Sequence, residues 1–350
     1  MALKYKKAYI THCDATYAPI VEKMLETVNV FSSIPTIVYV LNSDIKIKNA
    51  TLTVRYDCQI RDGKQIHAED KENPYIVRAS SKVFDIITKK PNITLDCLEK
   101  YAEHVVYLDG DSIATSRIDD LFDYVNDNHP MFTQGIQEYM MLRGPEYTKH
   151  HPYAGNPFED FPEMNKTLYF SNRSLERHLC KLLDVDESFR RNKYHGYVQT
   201  GYFSATRKNI EFIKEWISIC EMKEVVNEHN KYAPFHEETV VNVLLWKKKW
   251  NASMPLVYIN CNTVEIIRKV YNFEFDHNKQ VNVIQQPWVK APSHLKDIKI
   301  FHGEKRPEIV DLILNEIKYQ DLILLFKEDT SMVNTVTKMA KINKQLSKRI

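Results

Sequence analysis

Two aspartates separated by one glycine, Asp109 and Asp111, are the side chains of this sequence best suited to binding a cation. They follow a run of apolar residues at 105–108, which predicts a short buried strand. In extended backbone, residues two apart point to the same side, so the two carboxylates would repel each other unless a proton or a cation lay between them. The pattern suits a divalent metal site, although the tripeptide alone is more typical of a tight hairpin turn.

A polar loop after the first predicted strand is a second candidate for chemistry. It would lie at the carboxyl end of that strand, where α/β sheets bind their ligands. Its hydrogen-bonding and aromatic side chains are Thr11, His12, Asp14 and Tyr17. Helix capping by Asp14 or Thr16 accounts for the polar positions equally well.

A helix predicted over residues 74–89 would carry Tyr75, Arg78 and Lys82 on one face, because spacings of three and four residues return to the same side. A solvated basic face is the usual meaning of such spacing. Followed by a carboxylate pair, however, a basic face also suits a ligand that contains both phosphate and metal.

Two further stretches combine polar groups with unusual backbone. Gln199 and Thr200 precede Gly201 in a predicted strand, where a glycine indicates a bulge or the close approach of a ligand. A later helix opens with Glu237 and Glu238, which could face a substrate or simply favour the positive end of the helix dipole.

The last predicted strand, at 297–301, is followed directly by His302. A histidine after a buried strand is a plausible metal ligand. Lys305, two residues beyond Gly303, could neutralise a phosphate as a point charge.

The elements that must position these residues follow an α/β pattern. Strands are predicted at 4–11, 36–41 and 51–56, with a helix at 15–29 after the first of them, and this order predicts a parallel sheet. Further helices are predicted at 207–222 and 236–249. Residues 306–350 are helical in pattern with a basic end, which could dock on a membrane surface or on nucleic acid, although a solvated helix accounts for it better.

The composition excludes several classes of protein. The chain has 350 residues, of which 43% are hydrophobic and 27% charged, so a large folded core is expected. The net charge of +2 favours neither nucleic acid nor membrane as a partner. Both glycine-rich phosphate-binding motifs are absent from the sequence, which argues against a Rossmann dehydrogenase and a P-loop NTPase. Six single cysteines, with no signal peptide or membrane-length apolar run in this sequence, favour a cytoplasmic protein.

In their order along the chain, these features resemble a GT-A glycosyltransferase, specifically the retaining family that contains glycogenin, galactinol synthase and bacterial lipopolysaccharide galactosyltransferases. The resemblance spans about residues 4–307. It implies an α/β GT-A domain over residues 1–305, with a mainly parallel twisted sheet flanked by helices, and a helical C-terminal extension over 306–350.

The resemblance also implies an activity and a set of roles. Sugar would pass from a nucleotide-diphospho-sugar, most simply a UDP-sugar, to an acceptor hydroxyl with retention of configuration. Asp109, Asp111 and His302 would hold Mn²⁺ or Mg²⁺. The donor would contact the same three residues together with Thr11, His12, Asp14, Tyr17, Arg78, Lys82, Gly110, Thr200, Gly201, Gly303 and Lys305, and the catalytic candidates are Gln199, Glu237, Glu238 and Lys305.

Two departures from the family's pattern limit these assignments. The family's His-x-x-Gly-x-x-Lys-Pro is shortened here to His-Gly-Glu-Lys-Arg-Pro, which makes the role of Lys305 less secure than that of His302. Gln199 and the two glutamates also differ from the family's residues, so the donor sugar stays open. The acceptor, whether glycan, lipid-linked glycan, protein or nucleic acid, is open as well.

Two other functions fit parts of the pattern. A haloacid-dehalogenase-type phosphatase would use Asp109 as its nucleophile, but its motif usually lies near the N-terminus, whereas here a long segment precedes it. A non-catalytic protein of the same fold would bind a nucleotide-sugar without turning it over.

Overall fold

In the computed structural model of this chain, residues 3–60, 85–114, 117–134, 178–186, 198–225, 236–254, 258–260, 273–275, 281–283 and 299–302 are described. The strands are β1 (Tyr5–Cys13), β2 (Thr36–Leu41), β3 (Leu52–Tyr56), β4 (Ala102–Leu108), β5 (Ser112–Ala114), β6 (Met131–Gln134), β7 (Val198–Thr206), β8 (Ser253–Met254), β9 (Tyr258–Asn260), β10 (Phe273–Phe275), β11 (Val281–Val283) and β12 (Ile300–His302). The α-helices are α1 (Ala18–Phe31), α2 (Lys90–Lys100), α3 (Ile210–Cys220) and α4 (His236–Lys248), and short 3₁₀ helices lie at Asp119–Asp123 and Arg207–Asn209.

The main sheet has seven strands in the order β3-β2-β1-β4-β7-β6-β8. Strands β3, β2, β1 and β4 are parallel to one another, β7 is antiparallel to both β4 and β6, and β8 is parallel to β6. The inner strand β2 is buried along its whole length, as expected for a parallel sheet that is covered on both faces. The predicted α/β class, with a mainly parallel sheet flanked by helices, is confirmed.

Alternate residues of the central strands pack into two separate cores. Ala8 and Ile10 of β1 belong to the core that contains residues of α2, α3 and α4. Tyr9, between them, belongs to the core that contains residues of α1. The period of two in the strand therefore divides the helices between the two faces of the sheet.

A smaller sheet carries part of the candidate site. It has the order β5-β12-β9, with β5 antiparallel and β9 parallel to β12. Because β4 belongs to the main sheet and β5 to the small one, residues 109–111 form the step from one sheet to the other. Strands β10 and β11 form a separate antiparallel pair.

Several element boundaries differ from the predicted ones. Strand β1 extends to Cys13, so Thr11 and His12 lie within the strand and not in the loop after it. Helix α1 begins at Ala18 with a proline in its first turn, where a missing N–H costs nothing. The helix predicted at 207–222 is a 3₁₀ turn followed by α3.

Other predictions concern parts of the chain that the structure does not describe. Residues 61–84 contain most of the predicted basic helix, and residues 303–350 contain the predicted C-terminal extension. The domain division at residue 305 therefore remains a prediction. Among the described helices, none has the length and apolar character needed to cross a membrane.

Candidate active site

Asp109, Asp111 and His302 converge where the two sheets meet. One ligand atom from each lies within 4.8 Å of the others. The Nε2 atom of His302 is 3.4 Å from Asp109 Oδ2 and 3.3 Å from Asp111 Oδ1. Two carboxylates and an imidazole suit a divalent cation of the Mn²⁺ or Mg²⁺ kind, so this donor set fits the predicted metal.

The pairing of β5 with β12 brings these residues together. His302, the last residue of β12, lies opposite Ser112, the first residue of β5 and the neighbour of Asp111. The Ser112 hydroxyl donates a hydrogen bond to the backbone carbonyl of Asp109. Between the two aspartates, a Cβ on Gly110 would lie 2.8 Å from a methyl group of Val21 in α1. Only glycine fits this step without displacing α1.

The imidazole of His302 can itself supply a positive charge to the two carboxylates. Burial disfavours the imidazolium form of His302, but hydrogen bonds to Asp109 and Asp111 outweigh that effect and raise the pKa of His302 to about 9. Burial disfavours the ionised form of Asp109, yet Lys90 and His302 hold its pKa well below the usual value. Without a metal ion, protonated His302 therefore supplies the positive charge that offsets the repulsion between the two carboxylates.

Lys90 is a buried residue of the site that the sequence pattern did not single out. Its ammonium group lies 3.0 Å from Asp109 Oδ1 and 3.5 Å from Glu237 Oε1. Burial alone would lower the pKa of Lys90, but Asp109 and Glu237 hold it above the usual value. The one available signal was its position directly before Pro91, a residue type that favours the first turn of a helix. In sequence, however, Lys89 and Lys90 read as an ordinary solvated pair.

The two glutamates at the start of α4 lie next to strand β7 but differ in exposure. The side chain of Glu237 is fully buried, and its Oε1 accepts a hydrogen bond from the Thr200 hydroxyl at 3.2 Å. Glu238 is half-buried, and its Oε2 accepts the backbone N–H of Thr200 at 3.3 Å. Burial raises the pKa of Glu237, whereas burial and then the Glu237 carboxylate raise the pKa of Glu238 to about 8.

Gly201 allows the carboxylate of Asp109 to lie against β7. A Cβ on Gly201 would lie 2.7 Å from Asp109 Oδ2 and 3.0 Å from Gln199 Oε1. The pairing of β6 with β7 shifts register between Phe132 and Thr133, opposite this segment. The predicted bulge is therefore confirmed, and the group that lies against Gly201 is the side chain of Asp109. Among the described residues, the buried Gln199 Oε1 has no hydrogen-bond partner.

Thr11 and His12 lie at the carboxyl end of β1, next to the site. His12 Nε2 donates to the carbonyl of Ile86 at 2.7 Å, so its Nδ1 accepts from the Tyr107 hydroxyl at 3.1 Å. Burial lowers the pKa of His12 to about 4, and the ring is neutral. The buried Thr11 Oγ1 has no hydrogen-bond partner within the described ranges. Contact of either residue with a ligand remains a prediction.

Asp14 and Tyr17 form the turn that leads into α1. Asp14 Oδ1 accepts the backbone N–H of Tyr17 at 2.9 Å, which closes the turn before the helix. The N-cap of α1 is Tyr17, without a side-chain capping hydrogen bond, so the predicted capping by Asp14 or Thr16 is wrong. The Tyr17 ring packs over Gly110, with Cε1 3.5 Å from the position of a Cβ there. Burial and then Asp111, to which its hydroxyl is hydrogen-bonded, raise the pKa of Tyr17. Tyr17 thus contacts the metal-binding step directly.

The remaining predicted site residues lie outside the described ranges. They are Arg78, Lys82, Gly303 and Lys305, as is Tyr75 of the predicted basic face. Their roles stay predictions.

Comparison with known proteins gives a distant structural likeness. No protein-family model matches the chain, and no curated protein matches it. A solved structure that does match is the galactosyltransferase LgtC in complex with donor and acceptor sugar analogs, with 12% sequence identity and a TM-score of 0.46 over 89% of this chain and 95% of that one. Because the TM-score is below 0.5, the function proposed below rests on the site itself.

Proposed function

We propose that this protein is a metal-dependent glycosyltransferase, which moves a sugar from a nucleotide-diphospho-sugar to an acceptor hydroxyl. The observation that supports the proposal is the convergence of Asp109, Asp111 and His302 beside the carboxyl ends of parallel strands. In α/β sheets, ligands bind at that edge. A UDP-sugar as donor and retention of configuration belong to the proposal and come from the sequence resemblance.

The three converging residues would hold Mn²⁺ or Mg²⁺. When bound, the ion would supply Lewis-acid stabilisation of the negative charge that develops on the departing nucleoside diphosphate. Lys90 keeps Asp109 ionised, as a carboxylate ligand must be. We assign the nucleotide to Thr11, His12, Asp14 and Tyr17, and the diphosphate to the predicted cations Arg78, Lys82 and Lys305.

The sugar would lie against residues of β7 and α4. Gln199 has a buried amide oxygen without a protein partner in the described part of the chain, and Glu238 is partly exposed. Both are suited to sugar hydroxyls, which donate and accept hydrogen bonds. Glu237 is fully buried, and we assign it the role of supporting Lys90 and Thr200 rather than contacting the sugar.

The surroundings of Asp109 favour a metal ligand over the nucleophile of a phosphatase. Its Oδ1 is paired with Lys90, and its Oδ2 lies 3.4 Å from His302 and against Gly201. Attack on a phosphate would need one of these oxygens to be released from its partner.

A screen of nucleotide-sugars tests the proposal. UDP- and GDP-hexoses are incubated with the protein and Mn²⁺, and free nucleotide is measured. We expect release from at least one donor, loss of release on adding EDTA, and a decrease of about 100-fold in Asp111→Asn. Asp123→Asn, which changes an exposed aspartate, should leave the rate unchanged.

Two outcomes would contradict the proposal. Hydrolysis of a generic phosphate ester with no effect of nucleotides would indicate the phosphatase. Thermal stabilisation by UDP or GDP with Mn²⁺, but without turnover of any donor, would indicate a binding protein.

A further inference from the structure

His12 connects the segment before α2 to strand β4 through hydrogen bonds from both of its ring nitrogens. Its Nε2 lies 2.7 Å from the backbone carbonyl oxygen of Ile86, and its Nδ1 lies 3.1 Å from the Tyr107 hydroxyl. The residue is buried, with 6% of its surface exposed. Neither nitrogen is left to bind a nucleotide directly, so the part that His12 plays in a donor site is indirect.

The chemistry of the two partners determines where the protons of this connection lie. A carbonyl oxygen can only accept, so Nε2 carries the hydrogen of the neutral ring and donates it to Ile86. The other nitrogen must then accept, and the Tyr107 hydroxyl donates to it. Because a hydroxyl has a single hydrogen, His12 sets the direction in which Tyr107 donates.

The Tyr107 end of the connection lies beside the metal-binding aspartate. Tyr107 and Asp109 are two residues apart at the end of β4, a spacing that places side chains on the same side of an extended chain. The Lys90 ammonium group lies 5.6 Å from the centre of the Tyr107 ring and 3.0 Å from Asp109 Oδ1. Burial and then the charge of Asp109 raise the pKa of Tyr107. A Tyr107 hydroxyl released from His12 would have the Asp109 carboxylate as an acceptor.

The Ile86 end of the connection leads to the cation that pairs with Asp109. Ile86 lies in the last turn of a helical segment that ends at residue 87. Carbonyl groups in the last turn of a helix need partners from outside the helix, and His12 supplies one. Lys90 follows four residues after Ile86 and forms the ion pair with Asp109. His12 thus anchors the short connection that brings Lys90 to the site.

We infer that His12 is a positioning residue of the metal site, an inference that rests on the proposed glycosyltransferase function. It directs the Tyr107 hydroxyl away from Asp109 and anchors the connection that carries Lys90. Both effects keep the carboxylate of Asp109 available to its ion pair and to a metal ion. Groups that lie behind metal ligands commonly set the affinity of a site in this way. The contribution of His12 to donor binding is therefore made through the ion.

Titration with Mn²⁺ tests the inference without relying on turnover. Free Mn²⁺ is measured by electron paramagnetic resonance for the wild type and for His12→Phe, which keeps a planar ring but loses both hydrogen bonds. We expect the dissociation constant for Mn²⁺ to rise by about 10-fold in His12→Phe. His12→Leu makes the same comparison with a smaller side chain.

A matched control removes a different histidine. His104 is half-buried, and its Nε2 lies 2.7 Å from the Ser204 hydroxyl, away from the candidate site. His104→Phe therefore loses a comparable hydrogen bond, but it should bind Mn²⁺ as the wild type does. Urea denaturation of each variant shows whether a loss of affinity merely follows a loss of stability.

Two further variants separate positioning from packing. The side-chain amide of His12→Gln offers one donor and one acceptor, as the neutral imidazole does, so this variant should recover most of the Mn²⁺ affinity. Adding Tyr107→Phe to His12→Phe should also restore part of the affinity, because the hydroxyl that would otherwise turn to Asp109 is then absent. Such a gain from a second substitution is a coupling that independent residues would not show.

The outcomes distinguish this inference from the function on which it rests. Equal Mn²⁺ affinity in the wild type and in His12→Phe, with nucleotide release from a donor retained, would overturn the inference alone. An equal loss of affinity in His12→Phe and His104→Phe would do the same, since both changes would then act through stability. Absence of Mn²⁺ binding by the wild type would overturn the inference, and absence of nucleotide release as well would overturn the proposed function.

Discussion

Lys90 is a buried cation shared by two carboxylates from different parts of the chain. The side chain is almost inaccessible, and its partners are Asp109 at the end of β4 and Glu237 at the start of α4. Burying an ammonium group is costly, and the cost is offset only while both carboxylates remain in place. Removing the lysine would leave two buried negative charges next to each other, and that is more damaging than losing one contact.

Replacing Lys90 with methionine should therefore destabilise the protein strongly. We expect Lys90→Met to lower the free energy of unfolding by about 3 kcal/mol, because the carboxylates it leaves are uncompensated. Urea denaturation measures this change. Lys100→Met removes an exposed lysine from the same helix, where it pairs with Asp96, and should cost less than about 1 kcal/mol. Equal losses in the two variants would contradict the role given to Lys90.

At the residue scale, the sequence predicted those site residues that are recognisable from their position next to a predicted strand. Asp109, Asp111 and His302 were each marked by following an apolar strand, and the resemblance placed them together. The irregularity at Gly201 was predictable because a glycine inside a strand usually marks a bulge or the close approach of another group. Lys90 was not predictable, since its partners come from β4 and α4 and no sequence spacing links them to α2.

The step between β4 and β5 joins two sheets of very different size. Each strand of the small sheet has three residues, too few for independent stability. Strand β12 is held by its neighbours, by the ion pair of Lys299 with Asp120, and by His302 at the aspartates. A metal bound by Asp109, Asp111 and His302 would add a direct link between the main sheet and β12.

Metal binding should therefore protect β12 from hydrogen exchange. We expect Mn²⁺ to slow amide exchange in residues 299–302, because opening this strand would then require loss of a ligand. Strand β2, which is buried in the main sheet and distant in sequence, should exchange at the same rate with and without the ion. Asp111→Asn should abolish the effect. If Mn²⁺ slowed exchange in Asp111→Asn as much as in the wild type, the ion would have to be bound at a different site.

At the element scale, the strands of the main sheet were the most predictable. Residues 36–41 and 105–108 form mainly apolar, buried runs, because strand segments buried on both faces have no polar side. The pairing of β5 with β12 was not predictable, since three-residue strands carry too little pattern to specify a partner.

Three histidines within the described residues, His12, His104 and His129, have a pKa lowered by burial, unlike His302 at the candidate site. Burial lowers the pKa of both His12 and His104 to about 4 and also lowers that of His129. An unfolded chain titrates near the ordinary value of 6.5. Between these values, the unfolded state binds more protons than the folded state. The stability associated with these groups is therefore complete above pH 6.5 and is lost as the pH falls towards 4.

Replacing His104 should make the protein less sensitive to acid. His104 lies away from the candidate site, with Nε2 2.7 Å from the Ser204 hydroxyl and its ring against Phe122. In His104→Gln, the loss of unfolding free energy as the pH falls from 6.5 to 4 should be smaller than in the wild type by about 2 kcal/mol. Urea denaturation across this range measures it. If the unfolding free energies of the two proteins decreased equally with pH, His104 would have the same pKa in the folded and unfolded states.

The position of His302 late in the chain has a consequence for synthesis. Domains begin to fold from the N-terminal end while the rest of the chain is still being made. Strands β1, β2 and β4, with α1 packed behind Gly110, can assemble long before residue 302 emerges. A nascent chain would then present the two aspartates and Lys90 but lack the imidazole. The complete set of ligands forms only after the sheet that supports it has been made.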